Sequence, residues 1–247
     1  MKKSYWGKTI TAILFAVFLI SCCGKINQNN VKFRMGDNPF DPETAYFIHQ
    51  DLYIPGVLFG IPDIPIGTMS GSGSGIRHGQ KYTDILTAGH VCELPEEVIS
   101  LGGKQKISLF NIEGEQFFGE IYAIDYPNDL CIIRIREKRP VLRLAKRNPK
   151  SGDHVYSAGY PHGLYEPGLL HYFHGYFSGI DSIRTGYYSF PASPGSSGSA
   201  IVDSRGNVVG VVSAVMVDFH HSTIGPSVEP IYIFLLQTKN CDNFCIK

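Results

Sequence analysis

Short apolar runs, broken by glycine, proline, asparagine and aspartate, recur along most of this chain: Ile107–Ile112, Phe117–Ile124, Leu130–Ile135, Val155–Ala158, Tyr187–Phe190, Ala200–Val202 and Val208–Val217. Runs of this length bounded by turn residues predict strands. No long stretch sustains a 3.6-residue apolar repeat; Val91–Ser100 and Tyr232–Gln237 are the best helix candidates. Arg143–Gly152, basic and rich in turn formers, reads as a connector between two halves. The pattern predicts an all-β protein with short helical segments.

One loop in that pattern carries chemistry. Pro194-Gly195-Ser196-Ser197-Gly198-Ser199-Ala200 sets a serine among small residues directly before an apolar run. A hydroxyl that attacks a carbonyl needs an exposed oxygen, a backbone that can approach the substrate and amide donors for the oxyanion. Glycine permits all three. Ser197 is the candidate nucleophile, with the amides of Gly195 and Ser197 as the donor pair. Upstream, the apolar segment Asp84–Val91 ends in small residues followed by His90, a position from which an imidazole can act as general base. Asp129 opens the hydrophobic run Leu130–Ile135 and is the candidate to orient that imidazole, because a carboxylate at the mouth of an apolar segment needs a hydrogen-bonding partner. Asp125, four residues earlier and before Tyr126-Pro127, looks like a turn residue. The nucleophile elbow of α/β-hydrolases fails on context. Its last glycine is replaced by Ser199, a strand rather than a helix follows, and its histidine should lie downstream, where only His220 and His221 remain.

Thr87-Ala88-Gly89-His90, Asp129-Leu130-Cys131-Ile132-Ile133 and Gly195-Ser196-Ser197-Gly198-Ser199 together resemble the trypsin-like serine proteases of the chymotrypsin fold, in that family's order of His, Asp and Ser. Ser72-Gly73-Ser74-Gly75-Ile76 is similar to the glycine-rich strand of the bacterial Htr-type proteases and the glutamyl endopeptidases. Ala158-Gly159-Tyr160-Pro161-His162-Gly163 resembles a loop of the Htr-type group, and Gly206–Ser213 the hairpin beside the specificity pocket. The resemblance implies two packed six-stranded β-barrels, about 46–145 and 146–247, with the site in the cleft between them. It also implies a serine endopeptidase acting on protein or peptide substrates through an acyl-enzyme, without a cofactor.

Transferred to this chain, the family's pocket positions fall on Pro191, Ser213, Ala214 and Val215. Pro191 stands where trypsin-type enzymes carry an acidic residue, and Ser213 where the glutamyl endopeptidases carry histidine. Val215 narrows the slot. Small or medium aliphatic side chains are therefore expected at the cut site. Ser196 precedes the nucleophile where zymogen-activated members have aspartate, so activation by an inserted N-terminus is not expected.

The 247 residues balance 22 basic against 22 acidic side chains without a clustered basic stripe, which argues against nucleic acid as a partner. Lysines at 2, 3 and 8 precede the apolar run Ile10–Ile20, a bacterial export signal too short for a stable span. Leu19-Ile20-Ser21-Cys22 resembles the lipobox of bacterial lipoproteins. Residues 1–21 are then a leader, Cys22 a lipidation site, 22–45 a tether and 46–247 the protease domain, held at a bacterial cell membrane. An exported chain permits disulfides. Cys92, Cys131, Cys241 and Cys245 allow three pairings: Cys92 and Cys131 each follow a candidate catalytic residue by two positions, and Cys241 and Cys245 lie close in sequence. No cysteine spacing matches a zinc pattern. His171 and His174 lie on one expected strand, where residues three apart face opposite sides, so no metal site is assigned. A different function class, a catalytically silent protease-fold lipoprotein acting as a binding module, is compatible with the same fold.

Overall fold

Strands dominate the computed structural model, which describes residues 38–56, 62–216, 219–239 and 245–246. The first six strands are β1 (Ala45–Ile54), β2 (Ile64–His78), β3 (Thr83–Ala88), β4 (Lys104–Asn111), β5 (Gln116–Asp125) and β6 (Leu130–Ile135). They pair in the order β5-β4-β1-β2-β3-β6, and a β5–β6 ladder closes them into the expected six-stranded barrel. A further strand, Cys245–Ile246, runs parallel to β5 at Ala123–Ile124.

The second half contains eight strands rather than six. They are β7 (Arg143–Leu144), β8 (His154–Gly159), β9 (His171–Ile180), β10 (Thr185–Tyr188), β11 (Ala200–Asp203), β12 (Asn207–Val211), β13 (Ala214–Met216) and β14 (Phe219–Pro226), ordered β13-β14-β10-β9-β8-β11-β12-β7. The two extra members are the short ones, β7 and β13. Because β7 pairs with β12, the second half begins two or three residues before the boundary expected at 145/146.

Helices are few. Gly89–Cys92 (α1) and Glu96–Ser100 (α2) divide the region expected as one helix, with Pro95 between them, and Val228–Gln237 (α3) extends the expected C-terminal one. Proline lacks the amide a continuous helix would need.

Three apolar cores explain the arrangement. Ile48, Ile85, Leu109, Ile133 and Ile135 fill the first barrel, and Val155, Tyr188, Phe190, Ile201 and Val209 the second half. Between them lies a third cluster that draws Leu130 and Ile132 from one side, Ala158, Tyr160 and Val202 from the other, and Ile231 and Phe234 from α3. Phe47 stacks on Tyr165 there, with ring centroids 5.1 Å apart. Burial of this apolar surface, at about 25 cal/mol per Å², is what fixes the cleft between the halves. Phe40 is fully buried in the same cluster, and Pro42–Thr44 form a 3-10 turn. The fold therefore begins earlier than the tether boundary read at residue 45, because Phe40 has a core to enter.

A buried carboxylate ties α3 to the first barrel. Asp84, fully buried, faces Arg77 across β2–β3 and Arg134 across β3–β6, and accepts from Arg77 Nε and Arg134 Nε at 2.7 Å each. Arg77 Nη1 donates onward to the Leu235 carbonyl at 3.0 Å, satisfying one of the orphan acceptors at the end of α3. Pairing on both sides is what makes a fully buried charge tolerable.

Candidate active site

His90 sits in α1, directly after β3, whose six residues are all buried. Gln50 Nε2 donates to the Val91 carbonyl and Gln105 Nε2 to that of Cys92 at 2.9 Å, so the short helix is held by acceptors it cannot satisfy itself. A disulfide joins Cys92 to Cys131, with Cα atoms 6.5 Å apart. Of the pairings left open by the sequence, this one staples the His90 helix to the strand that follows Asp129. Cys241 lies outside the described residues, as do the side chain of Cys245 and the whole of Cys22.

Asp129 ends the β5–β6 turn with φ +50°, a left-handed conformation that aspartate tolerates better than most side chains. The turn aims its carboxylate under His90. His90 Nδ1 lies 3.0 Å from both carboxylate oxygens, and the His90 backbone amide donates to Oδ1 at 2.8 Å. Gly89 makes room for this approach, because a Cβ there would lie 3.0 Å from Asp129 Oδ1. Ser213, read from sequence as a pocket-wall residue, turns its hydroxyl to Asp129 Oδ2 instead. Asp125 is the last residue of β5 rather than part of the turn, but its carboxylate braces that turn, accepting from Asn128 Nδ2 at 2.8 Å.

Electrostatics follow from that geometry. The hydrogen bond to Asp129 raises the His90 pKa above its ordinary value against the opposing effect of burial. For Asp129, burial pushes the carboxyl up, but the hydrogen bonds from His90 and Ser213 outweigh it and leave the pKa lowered. The pair is thus an ionised carboxylate beneath an imidazole whose Nδ1 is held as a donor.

Ser197 belongs to the loop before β11, and the backbone of β2 receives it. Ser72 N–H donates to the Ser197 carbonyl at 2.8 Å, and Ser72 Oγ to the Gly195 carbonyl at 2.8 Å. Gly198, at φ +89°, comes so close to β3 that a Cβ would lie 2.0 Å from Thr87 Oγ1 and 3.0 Å from the Ala88 amide, two residues before His90. The serine loop therefore packs against the strand that leads into the histidine helix. Ser197 itself is half-buried. The residue before it, Ser196, is buried, and its carbonyl accepts from Ser199 N–H at 3.0 Å. The Pro194 carbonyl accepts from His162 N–H at 2.6 Å.

These two pinned carbonyls have a consequence for the amides beyond them. In a trans peptide the N–H points opposite to the C=O, so fixing Pro194 and Ser196 carbonyls turns the Gly195 and Ser197 N–H groups the other way. Among the described residues neither N–H has a protein acceptor, while Ser196, Gly198 and Ser199 N–H groups all do. Two neighbouring amide donors left open beside a hydroxyl are suited to a developing oxyanion.

Sequence reading missed Ser72, His162 and the role of Ser213. Ser72 and His162 act on the loop's carbonyls; His162 does so through its backbone, from a left-handed φ of +55°. The only local signal was the small-residue strand and the Tyr160–Gly163 loop, whose backbone a side chain on Gly195 would strike, 2.7 Å from the Tyr160 carbonyl. The run expected as one strand at Val208–Val217 breaks into β12 and β13 because Val212 and Ser213 leave the ladder. Val212 exchanges hydrogen bonds with Gly198 and Ser199, and Ser213 serves Asp129. Of the remaining pocket positions, Pro191 and Ala214 are exposed and Val215 is half-buried on β13. Among the described residues no group of three or more His, Cys, Asp or Glu side chains is arranged to hold a metal ion.

Comparison with known proteins agrees with the fold. The family model of the trypsin-like peptidase domain matches residues 71–211, which include all three candidate residues. No curated protein matches. Among solved structures, a serine endoprotease from Yersinia pestis superposes with a TM-score of 0.61 at 18% identity, over 85% of this chain and 69% of that one. The Rv3671c protease from M. tuberculosis, in its active form, gives 0.60 at 17% identity, over 82% and 84%. At these identities the structural likeness speaks for the shared architecture alone.

Proposed function

The chain belongs to the trypsin-like peptidase family and is a serine endopeptidase, and from that membership we propose that Ser197, His90 and Asp129 form its catalytic triad. His90 Nε2 removes the Ser197 proton as Oγ attacks the substrate carbonyl. The tetrahedral oxyanion accepts from the Gly195 and Ser197 amides. His90 then returns the proton to the leaving amine, and water repeats the sequence on the acyl-enzyme. Asp129 keeps Nδ1 protonated and stabilises the imidazolium. The observation that carries this reading is the pair of unengaged amides flanking Ser197, set by carbonyls that are tied elsewhere.

Substrate preference is proposed to favour small or medium aliphatic residues at the cut site. Val215 narrows the wall on β13, and Pro191 supplies neither charge nor hydrogen-bond donor. We propose further that the enzyme is exported and anchored through lipid on Cys22. Incorporation of labelled fatty acid that disappears in Cys22→Ala supports the anchor, and retention of label in that variant contradicts it.

Stoichiometric labelling by a serine-directed fluorophosphonate tests the catalytic assignment. Labelling lost in Ser197→Ala is expected, whereas a folded protein that takes no label would be the silent binding module instead. A peptide-library profile with arginine, lysine or glutamate at the cut site would overturn the specificity.

A further inference from the structure

A second concave surface lies at the far end of β11 from Ser197. The connector Arg143–Asp153 and the turn Asp203–Asn207 enclose an open cleft of about 960 Å³, walled by Arg143, Lys146, Arg147, Lys150 and Arg205. Its frame is tied by backbone. Arg143–Leu144 pair with Asn207–Val208, Ala145 N–H donates to Val208 at 2.9 Å, and Asn148 Oδ1 accepts from Val228 N–H at 3.0 Å.

The arginines in this cleft differ from those elsewhere among the described residues. Arg77, Arg134, Arg136, Arg139 and Arg184 each pair with a carboxylate. Among the described residues only three arginines form no ion pair, Arg143, Arg147 and Arg205, and all three line this cleft. The two carboxylates present are engaged by backbone: Asp153 accepts from Lys150 N–H at 2.8 Å, and Asp203 from Arg205 and Asn207 N–H at 2.9 Å each. A chain with no formal net charge thus gathers its unpaired arginines, together with Lys146 and Lys150, in one hollow, while its other described lysines are spread over the surface. Such focusing raises the local concentration of oppositely charged ligands.

We propose that this cleft is an exosite for acidic stretches of polypeptide substrates, an inference that rests on the endopeptidase reading. The interspersed carboxylates of Asp153 and Asp203 favour a ligand with spaced negative charges over the continuous charge of a nucleic acid backbone. At the rim, His154 lies 4.6 Å from the exposed Tyr176 ring and offers apolar surface to a peptide side chain. Ser197 and Asp203 are six residues apart, at most roughly 20 Å of extended chain. About six extended substrate residues therefore suffice to cover the straight-line distance between the cut site and the acidic segment.

Binding is measured first on full-length Ser197→Ala, where it is independent of catalysis, using the fluorescence anisotropy of a labelled twelve-residue peptide alternating glutamate with glycine and tyrosine. Saturable binding is expected, weakened at least tenfold by Lys146→Glu/Arg147→Glu/Lys150→Glu or by Arg205→Glu alone in proteins with unchanged circular dichroism, and weakened by added salt. No saturable binding, or binding indifferent to both charge reversals, overturns the exosite. A single-stranded oligonucleotide of equal length that binds more tightly than the peptide overturns the choice of ligand. On the active protein, the triple variant is expected to keep its kcat/KM on a short neutral peptide and to lose at least fivefold on a substrate carrying the acidic segment. Equal losses on both substrates would contradict the proposal. Failure of the short peptide to be cleaved by the unaltered enzyme would count against the triad without touching the binding result.

Discussion

The two halves of the proposed active site are built by different means. On the first barrel, His90 and Asp129 are fixed by side chains: the imidazole–carboxylate hydrogen bond, a disulfide two residues beyond each, and glutamines that cap the helix. On the second, the Ser197 loop is fixed through its own backbone, its carbonyls tied to Ser72 and His162 and its amides left open. A base needs its charge state controlled, and side-chain hydrogen bonds do that. A nucleophile loop needs donors aimed at a point in space, and pinned peptide planes do that. Damage to the two halves should therefore look different.

Breaking the first half at its charge has the largest effect expected. Asp129→Asn retains the geometry but removes the partner that holds Nδ1 protonated, and kcat is expected to fall about 10⁴-fold. Stopped assays with active-site titration measure it; a loss under tenfold would mean that Asp129 does not orient the base. Breaking the second half at its backbone comes next. Gly195→Ala places a Cβ against the Tyr160 carbonyl and the His162 amide at φ +89°, so the donor pair should be displaced and kcat should fall about 10² to 10³-fold. KM should change little, and a variant with unaltered kcat would remove Gly195 from the oxyanion site.

The disulfide distinguishes scaffold from chemistry. Cys92→Ser/Cys131→Ser opens a loop with a sequence separation of 39 and is expected to cost about 2–4 kcal/mol of stability in denaturant melts. The refolded variant should retain labelling at Ser197. Unchanged melting would show that the staple contributes nothing.

The smallest effect is in the pH profile. Only the neutral imidazole accepts the serine proton, so kcat/KM should rise with pH and its acid limb should be centred above the ordinary histidine value, since Asp129 raises the His90 pKa. For stability the signs differ. The His90 contribution is present below its unfolded pKa and lost as pH rises through the raised folded value. The Asp129 contribution is present above its unfolded pKa and lost as pH falls through the lowered one. In Ser213→Ala, one bond that lowers the Asp129 pKa is gone, so the acid loss of stability from this group should be smaller and should be complete at a higher pH.

The same contrast explains what could be read from the chain. His90, Asp129 and Ser197 could be nominated from the sequence because each stands at the edge of an apolar run, and small residues surround the histidine and the serine. The β6 run at Leu130–Ile135 coincides with its strand for the same reason. Ser72 and His162 were not legible: Ser72 reaches a carbonyl 123 positions away, and His162 works through its amide, which carries no residue identity. Val208–Val217 reads as one apolar strand, and only the demands of Gly198, Ser199 and Asp129 on Val212 and Ser213 divide it. The cation-lined cleft was hidden too, since Arg205 joins the connector's basic residues only once β7 lies beside β12.

A crystal structure of the fluorophosphonate adduct would locate the nucleophile and its oxyanion donors in one measurement. Phosphorus is expected on Ser197 Oγ, its phosphonyl oxygen accepting from the Gly195 and Ser197 amides at about 2.7–3.1 Å, with His90 still bonded to Asp129 through Nδ1. An adduct on another residue, or a phosphonyl oxygen turned away from both amides, would contradict the assignment.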